Sequence, residues 1–323
     1  MANYKKQHYV PQLYLRNFSK DGKTIGCCYC DPENQQFHLT EEAPIRTQAC
    51  KDYFYSKDSR LEAEFSKIEG EVNVVIQKIL ASKNSVLNNN EEDLLKEFLL
   101  FQHIRTPFRA NDFEAMINQA YHQIVPEDKE ADIQLKGKQL FILQTLLPRA
   151  YDIVQPFKLI ILDNQTEIPF VTSPEPAILF NPYQIKRKQY VYGTETHGSM
   201  FYLPLSSQKA VIMYDPLAYK IKGGKTVSCS LSDTACLNVL ILDFVGKSKT
   251  NLFFFDNTRP DIQQTFSLTL QHAKEGIELS FIKERFYLFG LPKRRSSLYD
   301  EESLRNAHMS IDEFNEFIRN NRK

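Results

Sequence analysis

The chain has 323 residues, of which 42% are hydrophobic and 12% aromatic, enough to form a folded core and to exclude wholesale disorder. Its 40 Lys and Arg residues balance 40 Asp and Glu residues, so no global charge draws it to nucleic acid or anionic lipid. No apolar run approaches the roughly 20 residues of a membrane span, and the first residues lack the apolar region of a secretory signal. These features predict a cytoplasmic protein without a membrane partner.

The first half of the chain combines short β-type runs with amphipathic helices. The opening segment "HYVPQLYLRNF" (residues 8–18) is apolar and aromatic where an ordinary N-terminal tail is polar, which predicts a docked helical turn. Two or three short strands are predicted up to about residue 56. Apolar residues at helical spacing then predict a helix that begins near Ser59 and a second helix that ends before Pro107.

The second half of the chain is richer in β-type runs. From about residue 156, "FKLIILD", "AILF", "SMFYLPL" and "KAVIMYD" predict short strands, and "SDTACLNVLILDFVG" and residues 260–275 predict helices. The order lacks regular βαβ alternation, which favours an α+β fold over a doubly wound sheet. We expect N-terminal short strands and a helical bundle, followed by a mostly antiparallel β region with packed helices.

The same patterns suggest a division into three regions. Residues 1–155 would hold the candidate polar site, residues 156–290 the β-rich region, and residues 291–323 a linker and a small C-terminal helix. All three could also form one compact domain.

A helical wheel places one glutamate of the first long helix near its apolar stripe. Glu64 lies about 60° from the centre of the stripe, which predicts that it is at least partly buried. Glu62, Glu69 and Glu71 lie roughly 80–100° away, where they can reach water.

The second long helix carries a charged residue on its apolar side. Gln102 and Arg105 lie about 40° and 20° from Phe98, whereas His103 is predicted to face solvent. An arginine is almost never buried without a partner, so Arg105 requires an anion. That anion could be Glu64 or Glu69, or the phosphate or carboxylate of a ligand.

Five segments occur in an order typical of a known family. They are "HYVPQLYLRNF", "DYFYS", "LEAEFSKIE", "FLLFQHIRTP" and "YLPLSS". Over residues 7–255 the chain resembles the uncharacterised bacterial family named domain of unknown function 4238. The resemblance implies recurrent polar positions, which fall on His8, Glu64, Glu69, Gln102, Arg105 and Thr106.

The chain departs from this family at one motif. The family tends to carry "SDNP" in the second β region, whereas this chain has "TSPEPA", which keeps Ser173 and places Pro174 and Glu175 at the next two positions. If the missing Asp takes part in chemistry, activity requires Glu175 to replace it. We therefore consider Thr106, Ser173 and Glu175 as candidate ligand-binding residues.

These residues suggest a metal-dependent phosphodiesterase or nuclease, of the kind found in toxins or phage defence. Arg105 would hold a phosphate through its two-pronged guanidinium, and Gln102 would orient the substrate. Glu64, together with Glu69, would bind Mg²⁺ or Mn²⁺ or act as a base, and His8 would be a metal ligand or a proton donor. Basic clusters at residues 186–188 and 293–295, near tyrosines, leave a nucleic-acid or phosphate-bearing partner open.

Two alternatives stay open. In the first, the protein is a non-catalytic sensor or interaction protein, and the same cluster is a structural clamp that pins the N-terminal segment to the helices. In the second, the cluster binds a small anionic ligand without turnover. The sequence does not distinguish these hypotheses, and it leaves the oligomeric state open.

Overall fold

The computed structural model describes residues 5–31, 36–57, 59–83, 85–125, 133–135, 137–187, 193–248, 251–254 and 278–285. The helix predicted at residues 260–275, and the linker and helix predicted at 291–323, lie outside the described residues.

Most of the described helices lie in the N-terminal half, as the hydrophobic spacing predicts. The described α-helices of the chain are α1 (Gln12–Leu15), α2 (Ser59–Ala81), α3 (Asn89–Ile104), α4 (Pro107–Ile124), α5 (Lys138–Leu146), α6 (Ala150–Val154), α7 (Pro182–Lys186) and α8 (Leu231–Ser248). A capping box begins α3, because the Asn88 side chain accepts from the Glu91 amide and the Glu91 carboxylate accepts from the Asn88 amide. Pro107 then occupies the first turn of α4, which leaves residues 105 and 106 as a corner between α3 and α4.

The described strands form mostly antiparallel sheets. Their bounds are β1 (Lys6–His8), β2 (Thr24–Asp31), β3 (Gln36–Pro44), β4 (Cys50–Asp52), β5 (Lys158–Asp163), β6 (Ile178–Phe180), β7 (Met200–Pro204), β8 (Lys209–Tyr214), β9 (Tyr219–Ile221), β10 (Thr226–Ser228), β11 (Asn251–Phe254) and β12 (Ile282–Glu284). The largest sheet has the order β10-β5-β8-β7-β6, with only the β10–β5 pair parallel. The others have the orders β11-β2-β3, β1-β4 and β12-β9. The prediction of an α+β fold is therefore confirmed.

Helix α3 is covered on all sides in its C-terminal half. It packs against α2, α4, α5, α6 and β7, and every side chain from Phe98 to Ile104 is buried. The prediction that His103 faces solvent is wrong, because its side chain is 5% exposed and its ring hydrogen-bonds the Ala177 carbonyl at 2.9 Å. A helical wheel assumes one covered face, whereas the strands of the second half cover another face of α3.

The large sheet is buried on both faces. One face, with Phe201 and Met213, joins the cluster that includes Val10 and the inner sides of α2 and α3. The other face, with Tyr202 and Ile212, joins a cluster that includes α8. Successive strand residues alternate between the two clusters, as the period of a β-strand requires. The division of the chain near residue 155 stays a prediction. No helix in the described ranges is long and apolar enough to cross a bilayer.

Candidate functional site

The end of α3 holds the N-terminal strand by its backbone. Gln102 Nε2 donates to the Tyr9 carbonyl at 2.7 Å, and Arg105 Nη2 donates to the His8 carbonyl at 2.7 Å. On its other side, β1 pairs with β4 in a register that sets His8 opposite Cys50. Two successive carbonyls are thus satisfied by side chains one helical turn apart, which explains why this N-terminal segment is docked.

The Arg105 guanidinium has acceptors at all three of its nitrogens. Nη1 donates to Glu69 Oε1 at 2.7 Å, Nε donates to the Tyr55 hydroxyl at 2.9 Å, and Nη2 bonds His8 as described. Tyr55 in turn donates to the Arg105 main-chain carbonyl at 3.3 Å. The anion that Arg105 requires is therefore Glu69, one of the two glutamates that the sequence indicated.

Aromatic rings enclose the same guanidinium. Its central carbon lies 4.4 Å from the ring centroid of Phe101, 5.3 Å from that of Phe65 and 5.6 Å from that of Tyr55. Arg105 is only 1% exposed. With its hydrogen bonds made inside the fold and its faces covered, Arg105 clamps α2, α3 and the N-terminal strand together.

Glu64 is exposed, so the prediction of its burial is wrong. The buried residues of α2 are Phe65, Val72, Val75, Ile76 and Ile79. Glu64 lies about 75° from the centre of this face, far enough for its side chain to reach water, since the helix advances about 100° per residue.

Glu62 is the acidic residue that the sequence interpretation missed. It lies about 85° from the same centre, and Glu69 about 65°. Both residues are half-buried, because the N-terminal segment and the 3₁₀ turn Ile45–Thr47 lie beside this part of α2. The helical wheel gives no signal for this burial, since these neighbours come from earlier in the chain.

A groove of about 810 Å³ lies between the N-terminal segment and α2. One wall comes from the N-terminal segment, another from the 3₁₀ turn Ile45–Thr47, and the third from the first turns of α2. It is lined by Lys6, His8, Gln12, Leu13, Arg16, Arg46, Thr47, Glu62, Ser66 and Glu69. Of the predicted catalytic residues, His8 and Glu69 line this groove, whereas Glu64, Gln102 and Arg105 do not.

Two side chains of the groove carry buried polar atoms without a partner. Among the described residues, neither His8 Nε2 nor Glu62 Oε2 has a hydrogen-bond partner. Burial lowers the pKa of His8, and Arg105 and Lys6 lower it further, against a hydrogen bond to the Arg46 carbonyl that raises it. Burial raises the pKa of Glu62, Arg105 opposes this, and the Glu69 charge adds to it. The groove thus shifts the imidazole toward its neutral form and the carboxyl toward its protonated form.

Positive charge faces the same groove. Lys6, Arg16 and Arg46 are exposed, and none of them forms an ion pair with another described residue. The Glu69 charge is already paired with Arg105. The free charges of the groove are therefore mainly positive.

The three predicted ligand-binding residues come together at the start of α4, and none of them lines the groove. Thr106 Oγ1 donates to Glu175 Oε2, and the Phe108 amide donates to Glu175 Oε1 at 3.3 Å. Ser173 Oγ accepts from the Glu175 amide at 3.1 Å and donates to the Glu175 carbonyl at 3.0 Å. Glu175 is 3% exposed, and burial raises its pKa to about 8, against the hydrogen bond from Thr106 and the charge of Arg109. This cluster joins the loop 172–177 to α4.

The predicted Mg²⁺ or Mn²⁺ centre on Glu64 and His8 does not fit the geometry. Glu64 is exposed and does not line the groove with His8. Within the ranges that the structure describes, no group of three or more His, Cys, Asp or Glu side chains is arranged to hold a metal ion.

The basic cluster at residues 186–188 is partly neutralised. Lys186 and Arg187 pair with Glu284 at 3.4 Å and 3.2 Å. Residue 188 and the cluster at 293–295 lie outside the described residues.

Residues 6–280 match the family described as a protein of unknown function (DUF4238), and the chain belongs to that family. The match covers the clamp, the groove and the Glu175 cluster. No curated protein and no solved structure shows significant similarity to the chain.

Proposed function

We propose that the groove binds a phosphate-bearing ligand, either a nucleotide or a nucleic acid. The observation that carries this proposal is the meeting of three cations, Lys6, Arg16 and Arg46, in a groove where none has a described ion-pair partner. Arginine side chains suit phosphate because their planar donor forks match its oxygens. The volume of about 810 Å³ falls in the range of roughly 300–1,000 Å³ that is usual for ligand sites.

This proposal moves the phosphate site away from Arg105. The clamp uses the Arg105 guanidinium within the fold, so the cations that remain for a ligand are those of the N-terminal segment and the 3₁₀ turn. Arg16 and Arg46 take the role that the sequence assigned to Arg105.

Fluorescence anisotropy with a labelled single-stranded RNA hexamer tests the proposal, with AMP and inorganic phosphate as competitors. The double variant Arg16→Gln/Arg46→Gln should bind at least about tenfold more weakly, and the slope of log affinity against log salt should fall in magnitude by about 1.4, because each phosphate contact on a single strand contributes about 0.7. The matched control is Lys20→Gln/Lys23→Gln, which removes two exposed charges that do not line the groove. Equal affinity of both double variants and the wild type would contradict the proposal.

The second candidate function is a non-catalytic sensor or interaction protein. The specific observation in its favour is that every nitrogen of the Arg105 guanidinium is bonded within the fold. It predicts that neither RNA nor AMP binds, while loss of Arg105 still destabilises the chain.

We propose the cytoplasm as the location, and a toxin or phage-defence role as the setting. Fractionation of a tagged chain tests the location. The toxin or phage-defence role is tested by comparing the growth of cells that express the wild type with that of cells that express Arg16→Gln/Arg46→Gln.

A further inference from the structure

We infer that this groove cleaves RNA without a metal ion, with His8 Nε2 as the general base and the Glu62 carboxyl as the general acid. The inference rests on the proposed function, because the RNA must first bind in the groove.

His8 and Glu62 both line the groove. His8 belongs to β1 and Glu62 to the first turn of α2, so they reach the groove from different walls. Each carries a buried atom, Nε2 and Oε2, that no described residue satisfies. A buried polar atom without a partner costs about 1–3 kcal/mol, and once each side chain turns toward the groove an arriving hydroxyl and a leaving oxygen would supply both partners.

Their environments assign the two roles. The His8 ring bonds the Arg46 main chain and faces the positive charges of Arg105 and Lys6, which together with burial keep Nε2 free to accept a proton. Glu62 faces Arg105 and Glu69, and burial with the Glu69 charge outweighs Arg105, so the carboxyl holds its proton to a higher pH. Each shift moves its group toward the assigned role, because a general base must lack its proton before the reaction and a general acid must hold one.

These roles select RNA as the substrate class. His8 and Glu62 form an acid–base pair and not a set of metal ligands, so they suit a substrate that carries its own nucleophile. The 2′-hydroxyl of ribose is such a nucleophile, held next to the phosphorus by the sugar itself.

The reaction is a transphosphorylation in which atoms and protons balance. The 2′-oxygen attacks the adjacent phosphorus and forms a P–O bond, while its proton passes to His8 Nε2. The bond from phosphorus to the 5′-oxygen breaks, and Glu62 gives that oxygen its proton. The products are a 2′,3′-cyclic phosphate and a 5′-hydroxyl end. Proton exchange with water restores both side chains, and Arg16 and Arg46 hold the phosphate oxygens throughout.

The test is cleavage of a labelled RNA hexamer in EDTA, with the cyclic phosphate identified by mass. General acid–base catalysis contributes about 100- to 10,000-fold, so His8→Asn and Glu62→Gln should each lower the rate at least about 100-fold. The matched controls are His38→Asn and Glu64→Gln, which change an exposed histidine and an exposed glutamate. Both controls should keep the wild-type rate, and thermal unfolding of every variant checks its fold.

A pH profile separates chemistry from structure. The rate should rise as His8 loses its proton and fall as Glu62 loses its own, and the falling limb should disappear in Glu62→Gln. Because glutamine has nearly the shape of glutamate, this variant keeps the test valid even where His8→Asn fails to fold.

The 2′-deoxy hexamer distinguishes this inference from the proposed function. It should bind in the same assay and remain intact. Binding of RNA without any cyclic product would overturn the inference and leave the phosphate site standing. If neither the RNA nor the 2′-deoxy hexamer binds, the inference and the proposed function are both overturned. Equal cleavage rates in Glu62→Gln and Glu64→Gln would overturn the role of Glu62.

Discussion

Tyr55 bonds Arg105 twice, once as the acceptor of Nε–H and once as the donor to the Arg105 carbonyl. Tyr55→Phe keeps the ring but removes the hydroxyl, so a buried guanidinium N–H loses its acceptor. We expect a loss of about 1–3 kcal/mol in the free energy of unfolding, measured by urea titration. Tyr53→Phe, which changes an exposed tyrosine two residues away, should have no effect. Equal stability of the two variants would contradict the role given to Tyr55.

Glu175 predicts a pH dependence of stability. Burial raises its pKa from 4.5 to about 8, so between these values the folded chain holds a proton that the unfolded chain has lost. The contribution of this proton to the free energy of unfolding is fully present below pH 4.5 and is lost as the pH rises toward 8. Urea titrations at pH 5, 6.5 and 8 should show the wild type losing stability relative to Glu175→Gln. Glu64→Gln should follow the wild type, and parallel curves for all three would contradict the prediction.

At this scale the sequence predicts the burial of Arg105 and misses two residues near it. Helical spacing places Arg105 on the apolar side of α3 and offers Glu69 as one of its possible anions. Tyr55 leaves no such signal, because it lies in the bend between β4 and α2 and reaches Arg105 across space. Glu62 leaves none either, because the N-terminal segment covers it and the apolar face of α2 does not.

The element that organises the site is the C-terminal turn of α3. The Gln102 and Arg105 side chains donate to the carbonyls of residues 9 and 8, and the Tyr9 amide donates to the Ala49 carbonyl at 3.0 Å. Gln102→Leu would leave the Tyr9 carbonyl without its donor. The cost of about 1 kcal/mol should speed hydrogen exchange of the Tyr9 amide by roughly fivefold to tenfold, measured by mass spectrometry of an N-terminal peptide.

Gln144→Leu is the control, since Gln144 is exposed on α5. Unchanged exchange of the N-terminal peptide in Gln102→Leu would show that pairing of β1 with β4 is sufficient to hold the segment.

The existence of α2, α3 and α8 follows from periodicity, and the end of α3 follows from Pro107. The burial of every side chain from Phe98 to Ile104 does not, because it depends on strands that lie about 100 residues later in the chain. Periodicity reports which face of a helix is apolar but not how many neighbours cover it.

The whole molecule is joined by a core that includes residues from both halves of the chain. The cluster that holds Val10 also holds Phe201 and Phe253, and the sheet between the clusters is buried on both faces. We therefore expect one cooperative unfolding transition in urea. Far-UV circular dichroism and tyrosine fluorescence should give the same midpoint, whereas two separate midpoints would favour independent domains on either side of residue 155.

The α+β class could be predicted for the whole molecule because strand and helix patterns do not alternate regularly. The pairing of β2 with β11, and the placement of the N-terminal segment against α3, join distant parts of the chain that no local pattern connects.

The most direct test is to compare the free energy of unfolding of Arg105→Met with that of Arg16→Met. It shows whether Arg105 serves the fold while Arg16 serves the groove. Arg105→Met leaves Glu69 half-buried without its cation, so we predict a loss of about 3–5 kcal/mol. Arg16 is exposed in the groove, so its replacement should change stability by no more than about 0.5 kcal/mol while weakening RNA binding. Full stability of Arg105→Met together with lost RNA binding would contradict the account, because the guanidinium would then serve the ligand and not the fold.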